Sequence, residues 1–93
     1  MYRIYKTKAF LKSSKRINGS VGGKKIIKEA SVVINTLASG HKLSADYKDH
    51  PLHGEYVNHR ECHVRADVLL VYKIEKEKMV LILVEIGSHS YLF

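Results

Sequence analysis

The sequence has few of the features that would place a protein outside the cell or in a membrane. It contains a single cysteine, Cys62, which excludes an internal disulfide and makes a reducing cytoplasm the expected compartment. Its longest apolar runs, at 67–74 and 79–86, have the length of strands and include charged residues, so they predict no transmembrane helix. The first ten residues contain no apolar stretch typical of a signal peptide, and we expect no association with a membrane.

Acidic residues are missing from the first 28 positions, which contain nine of the 16 Lys and Arg residues. The formal net charge of the whole chain is +7, so the positive excess is concentrated in its first third. A segment of one sign is typical of a surface that binds a polyanion such as RNA, DNA or an acidic protein. A solvated lysine face that only confers solubility would have the same composition. Charge alone therefore leaves the partner open.

One strand and two helices are predicted in the N-terminal part of the chain. Aromatic and β-branched residues at 2–6 predict a short strand. Thr7 then has the residue type of an N-cap, for a helix that runs to about Arg16. From Lys24 onward the apolar residues repeat with a helical period, which predicts a second, amphipathic helix that ends before Gly40.

The remainder of the chain predicts an antiparallel sheet. Residues 41–56 contain the only proline and show no periodicity, so we expect a loop there. Three strands joined by short hairpin connections follow, at 56–64, 67–74 and 79–86. We therefore predict one domain over residues 1–93 with an α+β fold. In it the N-terminal strand and the two helices pack on one face of an antiparallel β-meander.

Histidines are frequent, and none of the six lies in the first 40 residues. If 65–66 is a two-residue turn, Val64 faces Asp67 and His63 faces Val68 across a hairpin. His63 then lies at the end of the sheet where the turn is. A catalytic interpretation brings six side chains to one cleft, namely His50, His63, Asp67 and His89 with Arg60 and Arg65 nearby.

Such a set contains the groups that RNA cleavage requires. A base removes the proton of the 2′-hydroxyl, an acid protonates the departing 5′-oxygen, and positive charge stabilises the phosphate between them. Histidine suits the two proton transfers, and Arg or Lys suits the phosphate. Because the 2′-hydroxyl is the nucleophile, this chemistry acts on RNA rather than DNA, and it requires no metal or other cofactor.

Zinc binding is an alternative use of the same histidines. His50-x2-His53 and His59-x2-Cys62-His63 are plausible ligand spacings. However, the chain has one thiol, and the rise of a strand separates His59 and His63 by about 13 Å. We therefore predict no metal site, and we expect Cys62 to be a small hydrophobic residue of the core rather than a nucleophile.

Three stretches of the sequence form a recognisable set, namely YKDHPLHGEY (47–56), HRECHVRADVLLVYK (59–73) and GSHSYLF (87–93). Together they resemble the YafQ branch of the RelE-type toxins of bacterial toxin–antitoxin pairs. The resemblance implies an α+β mRNA interferase that acts on mRNA in the ribosomal A site and is held inactive by an acidic antitoxin. It also implies that operator DNA is bound only through the toxin–antitoxin complex.

The same resemblance implies roles for particular residues. The histidine of KDHPL is His50, that of the CH pair is His63, and the tail motif contributes His89. These histidines are expected to supply the general acid and base, with Asp67 orienting them or sharing that role. The residues expected to bind the RNA are Lys48, Arg60, Arg65 and Phe93, of which Phe93 would stack on a base.

A non-enzymatic binder on the same fold is the second hypothesis. It would be a gyrase-targeting ParE-like toxin or a DNA-binding regulator that uses the basic helices and no histidine chemistry. A pure binder has no need for the three histidine motifs, so their presence favours the enzyme.

Overall fold

The computed structural model describes residues 1–88, which form a five-stranded sheet covered on one face by two helices. The sheet has the order β1-β5-β4-β3-β2, in which β1 is parallel to β5 and all other neighbours are antiparallel. The helices are α1 (Lys8–Asn18) and α2 (Gly23–Ala38). The strands are β1 (Arg3–Lys6), β2 (His50–Pro51), β3 (Arg60–Arg65), β4 (Val68–Glu75) and β5 (Val80–Gly87).

The predicted α+β class and the antiparallel meander of β3, β4 and β5 are confirmed. The N-terminal strand is a member of this sheet: β1 pairs with β5 from Arg3 opposite Val80 to Lys6 opposite Leu83. A parallel neighbour needs a long connection, and the two helices lie within it. No helix among the described residues is long and apolar enough to cross a membrane.

The start of α1 is attached directly to the sheet. The Thr7 hydroxyl oxygen accepts a hydrogen bond from the Phe10 amide at 3.0 Å, which confirms Thr7 as the N-cap. The same hydroxyl donates to the Val84 carbonyl of β5 at 2.7 Å. Phe10 is buried at the helix–sheet interface. One side chain therefore fixes both the beginning of the helix and its position on β5.

Helix α2 has the predicted amphipathic character. Ala30, Val33 and Leu37 face the core and are at most 4% exposed. The helix begins at Gly23, one residue before the predicted start, because the turn from α1 brings the backbones very close together. A Cβ atom at Gly23 would lie 1.6 Å from the Ile17 carbonyl oxygen. Glycine is required at this point for the two helices to meet.

Two local features were not predicted between α2 and β4. The expected loop contains the short strand β2, which pairs with β3. Strand β3 begins at Arg60 rather than at 56, because Gly54–Tyr56 forms a 3-10 turn and Asn58 has a φ of 71°. A positive φ interrupts an extended chain, so no strand can continue through Asn58.

The prediction for the turn between β3 and β4 is wrong by one residue. His63 pairs with Leu69 and Arg65 pairs with Val68, and the register shifts between His63 and Arg65. A bulge of this kind inserts one extra residue into a strand. As a result Asp67 lies in the turn rather than at the start of β4.

Strand alternation gives the sheet two different faces. The face under the helices includes Cys62, Leu70, Leu81, Leu83 and Ile86, all fully buried. The opposite face, called the open face below, includes Glu61 and His63 of β3 with Leu69 and Val71 of β4. Leu69 and Val71 are 1% and 2% exposed. Candidate catalytic side chains therefore stand on a sheet surface whose centre is apolar.

We expect Gly23→Ala to lower the free energy of unfolding by roughly 1–3 kcal/mol, because the added methyl group forces α2 away from α1. Gly19→Ala is the matched control, since a Cβ at Gly19 would meet its nearest atom at an ordinary 3.7 Å. Chemical denaturation of both variants measures the difference. Equal stability of the two would contradict the close approach at Gly23.

Candidate active site

His50 is held between a backbone carbonyl and a buried carboxylate. Pairing of β2 with β3 puts His50 opposite Glu61, and the distance from His50 Nε2 to Glu61 Oε1 is 3.3 Å. The other ring nitrogen, Nδ1, lies 2.7 Å from the Lys48 carbonyl oxygen. A carbonyl only accepts hydrogen bonds, so Nδ1 carries a proton and Nε2 faces Glu61. Glu61 is 5% exposed, whereas the His50 side chain is 45% exposed and accessible to a ligand.

His63 stands on the same open face, two residues beyond Glu61 along β3. It is a diagonal neighbour of His50 across the β2–β3 pair, and in a sheet the Cα atoms of such neighbours are about 7–8 Å apart. The His63 ring makes no hydrogen bond or ion pair within the part of the chain that the structure describes, although its backbone pairs with Leu69. It lines a cavity of about 440 Å³ together with Lys48 and Arg65. This arrangement leaves its ring nitrogens available to a bound molecule.

Arg65 is attached to helix α2 by a two-bond ion pair with Glu29. The Nε atom donates to Oε1 and the Nη2 atom donates to Oε2, the latter at 3.2 Å. The bulge before Arg65 turns this side chain to the helix-covered face, since its partner Val68 belongs to the core there. The hydrogen bond from Arg65 holds the pKa of Glu29 below its usual value, and the bond to Glu29 raises the pKa of Arg65. Arg65 therefore remains a fixed cation beside His63.

Asp49 anchors the segment that carries His50. Its carboxylate accepts a hydrogen bond from the Tyr72 hydroxyl at 2.6 Å and one from Arg60 Nε at 3.3 Å. Tyr72 is 1% exposed, and its burial, followed by the bond to Asp49, raises its pKa. Because neighbouring residues alternate, Asp49 binds on the helix-covered face while His50 faces the other way. The anchor therefore fixes the position of β2.

The predicted site residues are only partly brought together. His63, Lys48 and Arg65 line one cavity, and His50 stands beside it across the strand pair. Asp67 is exposed in the turn, and its charge contributes to the raised pKa of Arg65. Arg60 does not line this cavity, and its guanidinium is bonded to Asp49 instead. The predictions for His89 and Phe93 lie outside the described residues.

Four carboxylates at the site were not predicted from the sequence. Asp46 lines the cavity itself, and each of the other three has a signal in the sequence. Glu61 is two residues before His63 and so shares its face of a strand. Asp49 directly precedes the histidine of the KDHPL motif. Glu29 is the first acidic residue of the chain and follows 28 positions that contain none. In each case the sequence contains the residue but not its distant partner.

Cys62 and the histidines at positions 1–88 do not form a metal-binding group. Cys62 is fully buried on the helix-covered face, and burial, followed by the nearby charges of Asp49 and Glu61, raises the pKa of its thiol to about 12. His63 points from the opposite face, so the two adjacent residues cannot ligate one ion. Within residues 1–88, no group of three or more His, Cys, Asp or Glu side chains is placed to hold a metal ion. The expected role of Cys62 as a core residue is confirmed.

The chain is similar to several curated bacterial proteins. It is 41% identical over 51 residues to "mRNA interferase toxin YafQ" of Escherichia coli strain K12, which is 55% of this chain and 53% of that protein. It is 33% identical over 60 residues to "Putative toxin YafQ" of Haemophilus influenzae, which is 64% of this chain and 55% of that protein. The matched segments thus span about half the length of these relatives.

Solved structures share the fold over the whole chain. A metal-bound toxin from Helicobacter pylori is 42% identical, with 100% of both chains covered and a TM-score of 0.85. YafQ from E. coli strain BL21(DE3) is 26% identical, with 100% of this chain and 99% of that chain covered and a TM-score of 0.82. The fold is therefore shared with bacterial toxins. A family model described as "Bacterial toxin of type II toxin-antitoxin system, YafQ" matches residues 2–93, and the chain belongs to this family.

We expect Tyr72→Phe to lower the free energy of unfolding by about 1–2 kcal/mol, because it removes the buried hydrogen bond to the Asp49 carboxylate. Tyr5→Phe removes the same hydroxyl from a residue that is 60% exposed, and should change stability by less than about 0.5 kcal/mol. Chemical denaturation gives both values. If the Tyr72 variant were as stable as the Tyr5 variant, the hydrogen bond from Tyr72 to Asp49 would contribute nothing to the free energy of unfolding.

The effect of the Glu29–Arg65 ion pair can be measured as the pKa of the Glu29 carboxyl group in a titration followed by NMR. We expect a pKa below the usual glutamate value, and an increase in Arg65→Gln, which removes the largest cause of the shift. Because the pKa is lowered in the folded protein, the stabilisation by the pair is present above the usual pKa and lost as the pH falls through the lowered one. Arg60→Gln leaves the pair intact and should not change the Glu29 titration.

Proposed function

We propose that the protein is an mRNA interferase, a toxin that inhibits translation by cutting mRNA. The observation that carries the proposal is the placement of His50 and His63 on one sheet face, beside a cavity lined by Lys48 and Arg65 together with Asp46. The name of the E. coli relative, an mRNA interferase toxin, supports the same reaction. In this reaction the 2′-oxygen attacks the adjacent phosphorus and the bond to the 5′-oxygen breaks. The products are a 2′,3′-cyclic phosphate and a free 5′-hydroxyl.

His63 suits the role of general base. Its ring is bound to no other described side chain, so a ring nitrogen can accept the proton of the 2′-hydroxyl. It also lines the cavity in which the scissile phosphate would be bound. Asp67, exposed in the turn after β3, is close enough to Arg65 to affect its pKa. We propose that Asp67 orients the cationic end of the site rather than transferring a proton.

His50 suits the role of general acid. Its Nδ1 proton is engaged by the Lys48 carbonyl, and Nε2 lies 3.3 Å from the Glu61 carboxylate. For the protonated ring to act as the acid, the Nε2 proton leaves its contact with Glu61 and passes to the departing 5′-oxygen. Glu61 is then a positioning residue, because it acts on the substrate only through His50. His89 remains a catalytic candidate on the resemblance of the tail motif.

Lys48 and Arg65 suit the stabilisation of the phosphate. Both line the cavity with His63, and the Arg65 guanidinium is already oriented by Glu29. Charge that develops on the phosphate oxygens is stabilised by cations that need no rearrangement. We propose that Arg60, bonded to Asp49, supports the segment before His50 instead of contacting RNA. Phe93 stays a candidate for stacking on a base.

The proposed partners are an acidic antitoxin and the ribosome. The E. coli DinJ–YafQ complex, whose YafQ is 27% identical to this chain, supports an antitoxin as partner. The acid-free N-terminal third provides positive charge for an acidic segment of such a protein. We propose that the toxin acts on ribosome-bound mRNA in the cytoplasm. Operator DNA would be bound only by the toxin–antitoxin complex.

We expect His50→Ala, His63→Ala and His89→Ala each to reduce RNA cleavage at least 100-fold, because each removes a proposed proton-transfer group. The exposed His41, which lies outside the cavity, is the control, and His41→Ala should keep full activity. Cleavage of mRNA with and without ribosomes, with analysis of the product ends, measures the effect. Circular dichroism confirms that each variant is folded.

A metal chelator tests the chemistry separately. Cleavage in EDTA should continue and should still produce cyclic phosphate ends. Full activity of the folded His50→Ala and His89→Ala variants, or a strict requirement for a divalent metal, would overturn the proposal.

A further inference from the structure

A groove leads away from the candidate active site along helix α2. The cavity that contains His63 shares Tyr47 and Arg65 with a second cavity of about 440 Å³. That second cavity shares Glu29 and Val32 with a third, of about 610 Å³. Because neighbouring cavities have wall residues in common, the three adjoin one another along α2. We call the three together the α2 groove.

The far end of the α2 groove is lined by three lysines. Lys24, Lys25 and Lys28 are exposed on the first turns of α2, and all three line the third cavity. Lys24 and Lys28 are four residues apart, so they follow each other along one side of the helix. The positive charge of Lys25 contributes to the lowered pKa of Glu29, which places this charge beside the groove. The far end of the α2 groove is therefore cationic, whereas the catalytic cavity contains Lys48 and Arg65 together with the carboxylate of Asp46.

The middle of the α2 groove has a different character. Glu29 and Arg65 form an ion pair there, so their charges largely cancel. Tyr47 provides an aromatic side chain between the first and second cavities, and Val32 is 57% exposed between the second and third. Cations at both ends with aromatic and apolar surface between them match the backbone and the bases of a single strand.

We propose that single-stranded RNA continues from the catalytic cavity along the α2 groove, with backbone phosphates bound by Lys24, Lys25 and Lys28. The inference rests on the proposed function and extends it to nucleotides outside the cleaved bond. An acidic peptide would also be attracted to the lysines. RNA is favoured because the groove adjoins the cavity where a strand would be cut, and a cut strand must extend beyond that cavity. The groove contacts are electrostatic, so we expect them to add affinity without base preference.

The experiment measures binding of the full chain to RNA in a His50→Ala background, which prevents cleavage. The test variant combines Lys24→Gln, Lys25→Gln and Lys28→Gln. The control combines Lys8→Gln, Lys12→Gln and Lys15→Gln, three exposed lysines of α1 that do not line the groove. Both variants lose the same charge. The probes are single-stranded RNAs of about three and about ten nucleotides, since single-strand sites commonly span four or more nucleotides.

We expect the test variant to bind the longer RNA more weakly than the control variant does. The slope of log K against log salt should fall by about 2, because three lost contacts each contribute about 0.7 for a single strand. Binding of the short RNA should be the same in both variants. Equal losses in the two variants, or a parent protein that binds both RNA lengths equally, would overturn the proposal.

Binding of a synthetic peptide of about ten glutamates tests whether the α2 groove binds an acidic protein segment instead of RNA. If the test variant loses binding to the peptide but keeps the longer RNA, the α2 groove is a site for an acidic protein segment and the proposal is wrong. The result does not depend on catalysis. Failure of the parent protein to cleave any RNA would contradict the proposed function. The comparison of salt slopes would still show whether RNA binds along the α2 groove.

Discussion

The two-residue pairing of β2 with β3 is the constraint on which the candidate site depends. It sets His50 opposite Glu61 and Pro51 opposite Arg60. Because side chains alternate along both strands, this register assigns His50 to the open face and Asp49 to the helix-covered face. A shift of one residue would exchange these faces and separate His50 from its carboxylate. So short a ladder cannot hold its register alone, and the hydrogen bonds of Asp49 to Tyr72 and Arg60 supply the missing constraint.

Much of the fold could be predicted because long segments repeat their apolar residues regularly. The spacing in α2 and the continuous apolar runs of β4 and β5 each indicate one structure. The wrong predictions concern positions where a single residue changes the local structure. The bulge between His63 and Arg65 moved Asp67 into the turn, and a positive φ at Asn58 delayed the start of β3. Alternation of residue types contains no signal for a single inserted residue.

The candidate site could be predicted only as a set of motif residues. His50 and His63 are named by their motifs, and the structure places them on one face. The carboxylates that orient the site act over long separations: Glu29 is 36 residues from Arg65, and Asp49 is 23 residues from Tyr72. Spacing along the chain cannot reveal such pairs, because they form only when α2 packs on the sheet and β2 pairs with β3. Supporting contacts are thus a property of the fold rather than of the motif.

Because Cys62 is buried, its thiol can be used to measure how often the structure around it opens locally. Cys62 is the only thiol in the chain, it lies one residue from both Glu61 and His63, and it is fully buried. A thiol-specific reagent can reach it only when β3 separates from the helices. The rate of labelling therefore measures how often the strand under the candidate site opens, and an RNA or partner protein that holds the strand closed would slow it.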